Sequence, residues 1–412
     1  MVNVIDRLSK TLHIDFLYYL KGGFWVSFGQ FTELLSALLV SILFARLSSQ
    51  ETFGHYQFLL SLFGLVSIVS LPGLNTSMLR SIAQGYEGTY SKGTKINFLA
   101  SLAGIPILML IGLYYYFAKE NISIGSALII SSFLFPFYYS PNTWIVYLQA
   151  KESFKLYGIF SALYSLISFL SISFAIINNP ENIVVIFITS LLIMCIANVI
   201  FYYFVLKKIT NSDEDEHWIK QGISITLVTF VSSAYNNVDK LLIGIFLSPE
   251  QLAVYAVAVL LTNKTKLVFK SLNRVLFPKL AQKDKATIMQ IVKKRLTMLI
   301  GALTLFTLIL YAITPYLIVL LYSQKYVDSI YYARMYLISV PFTFFMTLLS
   351  HIFIIIKEEN SLIKIQLQSL VLNLVLYFIL IPTLGLSGAI ISSIVYYILF
   401  TILAVLKLKR NV

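Results

Sequence analysis

Two carboxylates stand inside runs of sequence that are otherwise almost free of charge. Glu33 lies in GFWVSFGQFTELLSALLVSILFA, and Asp239 in SAYNNVDKLLIGIF. In apolar surroundings a carboxylate is costly unless it meets a partner or water. One that persists there can carry a proton or hold a small cation, depending on its protonation state. Around Glu33, residues Gly23, Ser27, Gln30, Glu33 and Ala37 follow one stripe of a helix, and so do Thr229, Ser232, Asn236 and Asp239 further on. A third cluster is basic. In LLTNKTKLVFKSLNRVLFPKL (260–280), Lys266, Lys270 and Arg274 recur every four residues, with Lys264 about half a turn from Lys266. Lysine is a point-charge partner for phosphate, so this face suits a phosphate-bearing ligand, to which Arg80 adds a further cation.

Each feature also has a plainer reading. Gln30 and Asn236 can hydrogen-bond neighbouring helices for about 1 kcal/mol. Asp239 can pair with Lys240 beside it. The lysines can snorkel toward lipid headgroups. At 1.5 Å per residue, Lys264 lies about 18 Å along its helix from Leu252 and Lys270 about 27 Å, so snorkelling serves Lys270 better than Lys264 or Lys266.

The elements that must position these residues follow from composition. Of 412 residues, 58% are hydrophobic and 12% charged, and the mean hydropathy is +0.83, values outside the range of soluble domains. A bilayer-crossing helix needs about 20 apolar residues. Twelve such runs are expected: 22–44, 53–72, 96–118, 124–147, 156–177, 183–206, 222–247, 251–270, 296–321, 334–356, 362–381 and 386–406. Short connectors use up the rest, leaving no soluble domain. The formal net charge of +13 is explained by topology: with both termini in the cytoplasm, 22 Lys and Arg fall on the cytoplasmic side and four on the other. A nucleic-acid partner is therefore not indicated. The reading is an all-α polytopic membrane protein with both termini cytoplasmic.

The chain divides by an internal echo. SQETFGHY (49–56) and SPEQLAVY (248–255) align without gaps at an offset of 199, each after an odd-numbered run. Six spans per half make a parallel repeat. The expected layout is a cytoplasmic or interfacial segment 1–21, an N-lobe 22–206, a linker 207–221, a C-lobe 222–406 and a tail 407–412. The repeat pairs the first and seventh spans, so Glu33 and Asp239 are expected to look into a cavity between two lobes.

Much other chemistry is excluded. The four histidines have no metal-ligand spacing, the lone Cys195 cannot form an internal disulfide, and no phosphate-cradling glycine loop or nucleophile elbow is present. DEDEH (213–217) reads as a solvated acidic turn. An enzyme such as a polysaccharide polymerase or glycosyltransferase is disfavoured by the short external connectors. No cofactor is expected.

FARLSSQETFGHYQFLLSLFGLVSIVSLPGLNTSMLRSIAQ (44–84) resembles the first hairpin of bacterial polysaccharide repeat-unit flippases, the Wzx-type or O-antigen transporters. NNVDKLLIGIFLSPEQLAVYAVAVLL followed by LNRVLFPKLA resembles the opening of their second half, and PTLGLSGAIISSI (382–394) the last loop and span. These motifs mark the wider superfamily that also holds multidrug exporters and the peptidoglycan-precursor flippase. The resemblance implies two MATE-like six-helix lobes that alternate between inward- and outward-open states. It implies an undecaprenyl-pyrophosphate-linked oligosaccharide as substrate, H+ or Na+ as coupling ion, and a surface-polysaccharide role, with polymerase and chain-length proteins as partners. Asp239 matches the family's second-half acidic position. Glu33 and the 264–274 stripe match no family motif, so their roles rest on physics alone. A multidrug or small-molecule cation antiporter of the same fold is the alternative.

Overall fold

The computed structural model describes residues 16–281, 285–356 and 358–410. These form helices α1 (Phe16–Leu47), α2 (Gln50–Val66), α3 (Gly73–Ala83), α4 (Gly88–Ser101), α5 (Gly104–Leu113), α6 (Ile122–Tyr139), α7 (Trp144–Ala150), α8 (Phe154–Asn178) and α9 (Ile183–Leu206). They continue with α10 (Trp218–Phe246), α11 (Pro249–Ala281), α12 (Lys285–Tyr322), α13 (Asp328–Leu337), α14 (Val340–Ile355), α15 (Glu359–Leu384) and α16 (Leu386–Arg410). No strand occurs among the described residues. Backbone groups in a bilayer have no water to bond, and a helix satisfies them within one segment.

Local chemistry sets many of the helix ends. The Asn121 side chain accepts from the Ile124 N–H at 2.9 Å and Asn182 from that of Val185 at 3.1 Å, capping α6 and α9. Gly385, at φ +60°, turns α15 into α16. Pro341 stands in the first turn of α14, and α13 and α14 meet there at a 42° bend.

Among the described residues nine helices are long and apolar enough to cross a membrane, and the bent α13–α14 pair raises the number to ten. The protein is thus a multi-pass membrane protein. At the expected seventh and eighth spans α10 and α11 form complete helices, but they are not among the nine or ten. Several side chains of both helices lie outside the described residues, so the count does not cover these two helices in full.

The chain forms two compact units, and neither is one stretch of sequence. Unit 1 comprises Met1–Ser49 and Leu62–Ala234; unit 2 comprises Gln50–Ser61 and Tyr235–Val412. Helix α2 begins in unit 2 and ends in unit 1, whereas α10 begins in unit 1 and ends in unit 2.

Unit 1 is held by close helix seams and an aromatic core. A Cβ on Gly158 would lie 2.5 Å from the Trp25 carbonyl, and one on Gly29 would lie 2.9 Å from Ser161. Helices α1 and α8 thus approach as only small residues allow, and Ser36 donates to the Ser165 carbonyl at 2.8 Å. Buried Trp144, Tyr90, Tyr147 and Trp218 share one cluster beneath α3, α7 and α9. In unit 2, Phe269, Phe344, Phe353 and Phe400 centre the core of α11, α14 and α16. The start of α2 is locked into this unit. Gly54 faces the Pro249 carbonyl, Phe58 fills the space over Gly244, and Gln50 Nε2 donates to the Lys325 carbonyl at 2.5 Å.

The 207–217 linker belongs to unit 1, and its 213–217 acidic turn is largely exposed, as expected, while still making defined contacts. Gly88 N–H donates to the Asp213 carbonyl at 2.9 Å, and Asn211 Nδ2 to that of Gly85 at 2.9 Å. Lys92 pairs with Glu214, and the Ser81 hydroxyl donates to Asp215 at 2.9 Å. At its centre is Glu87, 2% exposed. Its carboxylate accepts from Lys151 Nζ at 2.6 Å, Thr210 N–H at 2.8 Å, the Thr210 hydroxyl at 3.0 Å and the Tyr147 hydroxyl at 3.0 Å. Burial works to raise this carboxyl's pKa, but the four donors led by Lys151 outweigh it and hold it at about 2.

Candidate functional site

The best-defined ionisable site is in unit 2. Asp239 lies seven residues before the end of α10, about 10 Å along the helix, and is partly buried. Its Oδ2 accepts from the Tyr255 hydroxyl of α11 at 2.8 Å, and its Oδ1 from the Lys240 backbone N–H at 2.8 Å. Tyr255 is 0% exposed. Two more buried tyrosines, Tyr336 of α13 and Tyr377 of α15, lie within electrostatic reach of the carboxylate. Beyond them, Tyr377 and Ser393 hydroxyls share a 2.8 Å hydrogen bond, Asn373 Nδ2 donates to the Ser392 carbonyl at 2.8 Å, and Tyr235 stacks on Tyr396 at 4.2 Å. The expected alternative for Asp239, an ion pair with its neighbour, is not what the side chains do: Lys240 Nζ turns to Gln57 Oε1 of α2 at 3.3 Å.

This arrangement suits a carboxylate that changes its charge. Both its oxygens are held by neutral donors. Protonation at Oδ2 replaces an acceptor with a donor and requires the Tyr255 hydroxyl to turn from donor to acceptor. A tyrosine hydroxyl does so by rotation, because it donates or accepts equally well.

In unit 1, Glu33 is exposed on a flank of α1, on the stripe read from the sequence. Gly23, Ser27 and Ala37 are exposed with it and Gln30 is partly so. The adjoining face of α1 packs on α8. Glu33 acts electrostatically on half-buried Tyr138, whose backbone carbonyl accepts from Asn198 Nδ2 at 2.9 Å. Asn198 also meets the Tyr164 hydroxyl at 3.3 Å and accepts from Trp144 Nε1 at 3.2 Å.

The remaining expected residues are dispersed. Asn236 is exposed on α10 and Arg80 on α3. Arg80 contributes to holding Asp215 below the usual carboxylate range, after the larger effects of the His217 N–H and the Ser81 hydroxyl. Lys264 is partly buried on α11. The side chains of Lys266, Lys270 and Arg274 lie outside the described residues, although their backbone belongs to α11. Among the described residues no group of three His, Cys, Asp or Glu is placed to hold a metal. The tyrosine shell of Asp239 was missed in the sequence. Its only signals were the 27 tyrosines in the chain and the YY pair at 396–397.

A family model described as polysaccharide biosynthesis protein matches residues 19–283, more than half of the chain. The chain belongs to that family. Curated protein sequences show no match. Solved structures resemble it over nearly its whole length. The lipid II flippase MurJ in an inward closed conformation has a TM-score of 0.66 at 16% identity, covering 93% of this chain and 87% of that one. An inward-facing multidrug resistance MATE family transporter of the MOP superfamily has a TM-score of 0.64 at 16% identity, covering 92% and 94%. A MOP superfamily transporter from Pyrococcus furiosus, in which reverse polarity of the binding pocket is reported, has a TM-score of 0.62 at 16% identity, covering 96% and 95%. This likeness establishes the fold: a polysaccharide biosynthesis family member with the architecture of MOP-superfamily transporters.

Proposed function

We propose that this protein is a flippase that moves a polyprenyl-pyrophosphate-linked oligosaccharide, an O-antigen unit or related surface-polysaccharide precursor, across the cytoplasmic membrane. The observation that carries the reading is Asp239, a carboxylate inside a helix of a polysaccharide-family membrane protein, held by Tyr255 and shelled by Tyr336 and Tyr377. We take the chain to span the membrane twelve times with both termini cytoplasmic, α10 and α11 included. The pyrophosphate is drawn to Lys264, Lys266, Lys270 and Arg274, with Arg80 contributing, while Gln30 and Asn236 meet the sugars and the tail stays in lipid. Proton or Na+ binding at Asp239 or Glu33 biases inward- against outward-open states by a few kcal/mol. Downstream partners are the polymerase and chain-length machinery.

The test is surface-polysaccharide display in a strain lacking the native gene, at matched protein levels. Asp239→Asn, Glu33→Gln and Lys266→Ala are each expected to lower display about tenfold or more, the scale of an interaction worth 1.4 kcal/mol. Display at the wild-type level in all three would end the assignment.

The likeness to MATE transporters supports a second reading, a cation antiporter of the same fold. A cationic drug would use the carboxylates and gain nothing from the lysines. Lys264→Glu with Lys266→Glu would then leave drug tolerance intact or improve it, whereas a phosphate-bearing substrate would be lost.

A further inference from the structure

Proline at position 315 of α12 has no N–H, so it cannot donate to the carbonyl of residue 311 one turn earlier. A free carbonyl at membrane depth costs several kcal/mol. Arg334 of α13 satisfies it: its Nε donates to the Tyr311 carbonyl at 3.3 Å, and the guanidinium carbon sits 4.4 Å from the centre of the Tyr311 ring. Tyr311 is eleven residues, about 16 Å, from the end of α12.

The guanidinium has five N–H donors. Only Nε–H is used, and no carboxylate lies within ion-pair distance of Arg334 among the described residues. Arg334 lines a cavity of ≈ 740 Å³ whose other walls include Leu308, Ile330, Tyr331, Met335 and Ile338. Leu308, Tyr331 and Ile338 are exposed. One fixed cation with spare paired donors thus stands at the head of an apolar groove.

We propose that this groove binds an anionic glycerophospholipid, its phosphodiester on Arg334 and its acyl chain along Leu308 and Ile338. The Tyr311 face and carbonyl hold the guanidinium plane, leaving its outer edge for two parallel N–H···O bonds to phosphate, the geometry that distinguishes Arg from Lys. A single guanidinium matches a singly charged head group. A pyrophosphate carries more charge than this site neutralises, so the flippase substrate is the poorer occupant. The site goes beyond the flippase reading and does not depend on it.

Native mass spectrometry of the purified full chain in detergent, titrated with dioleoyl-phosphatidylglycerol or dioleoyl-phosphatidylcholine, tests the site. Phosphatidylglycerol is expected to form a one-to-one adduct roughly tenfold tighter than phosphatidylcholine, as fits charge-assisted hydrogen bonds. Arg334→Gln should abolish the preference, and Tyr311→Phe, which keeps ring and carbonyl, should retain it. If Arg334→Gln proves unstable, Arg334→Lys should keep the charge preference but weaken binding. Equal binding of the two lipids to wild type, or an undiminished preference in Arg334→Gln, would overturn the proposal. So would displacement of phosphatidylglycerol by a polyprenyl pyrophosphate at tenfold lower concentration. None of these results bears on polysaccharide display.

Discussion

Several charges in this protein sit where the surrounding atoms are arranged for them. Glu87 is buried and Asp239 partly so, at a cost in solvation, and both carboxylates are met by identifiable donors. Glu87 shows what this means for stability. Its carboxyl is held at about 2 against an ordinary 4.5, so the unfolded chain binds the proton more readily than the folded one. The stabilisation is complete above pH 4.5 and is lost as pH falls from 4.5 toward 2. Glu87→Gln is expected to cost about 3 kcal/mol at neutral pH, because it leaves Lys151 without its counter-charge beside a closed polar pocket. Thermal unfolding in detergent from pH 7 to 3 should show wild type falling toward the variant at the acid end, with the variant nearly flat. Parallel curves would refute the role.

At the scale of elements, small residues decide which helices can meet. Gly54 on α2 is the clearest case, since a Cβ there would lie 1.8 Å from the Pro249 carbonyl oxygen and 2.4 Å from its carbon. Those are backbone atoms at the start of α11, unable to rotate aside. Gly54→Val is expected to destabilise the protein by about 3 kcal/mol through forced separation of the two helices. Gly23→Ala, with nothing within 4 Å of the added carbon, should be neutral to about 0.5 kcal/mol. The melting temperatures of the pair, measured side by side, check this. Helix existence was legible in the sequence because apolar runs of span length leave few other options. The pairing of Gly54 with Pro249 was not, because their 195-residue separation carries no periodic signal. Nor were the partners of 213–217: an acidic pentapeptide exposed to water gives no local sign that Ser81 meets Asp215 or that Lys92 meets Glu214.

The whole molecule joins these elements into two units with the architecture of MOP-superfamily transporters. The twelve-span topology proposed here places Glu120 and Gln324 outside and Glu216 inside. With Cys195 replaced by Ala, Glu120→Cys and Gln324→Cys should react with a membrane-impermeant maleimide in intact cells, and Glu216→Cys only after permeabilisation. Labelling of all three in intact cells would defeat the topology.

From its residues alone the chain determined a helical membrane protein, roughly where its apolar runs lie, and which span residues are out of place in lipid. Hydrophobicity and capping act over one or two helical turns and can be read locally. Tertiary structure alone decided that α2 starts in one unit and ends in the other, that tyrosines shell Asp239, that Glu87 holds the linker, and that Pro315 frees a carbonyl for Arg334. The partner of a buried polar atom is chosen by whatever packing brings within 3 Å, and that choice depends on residues often more than a hundred positions away.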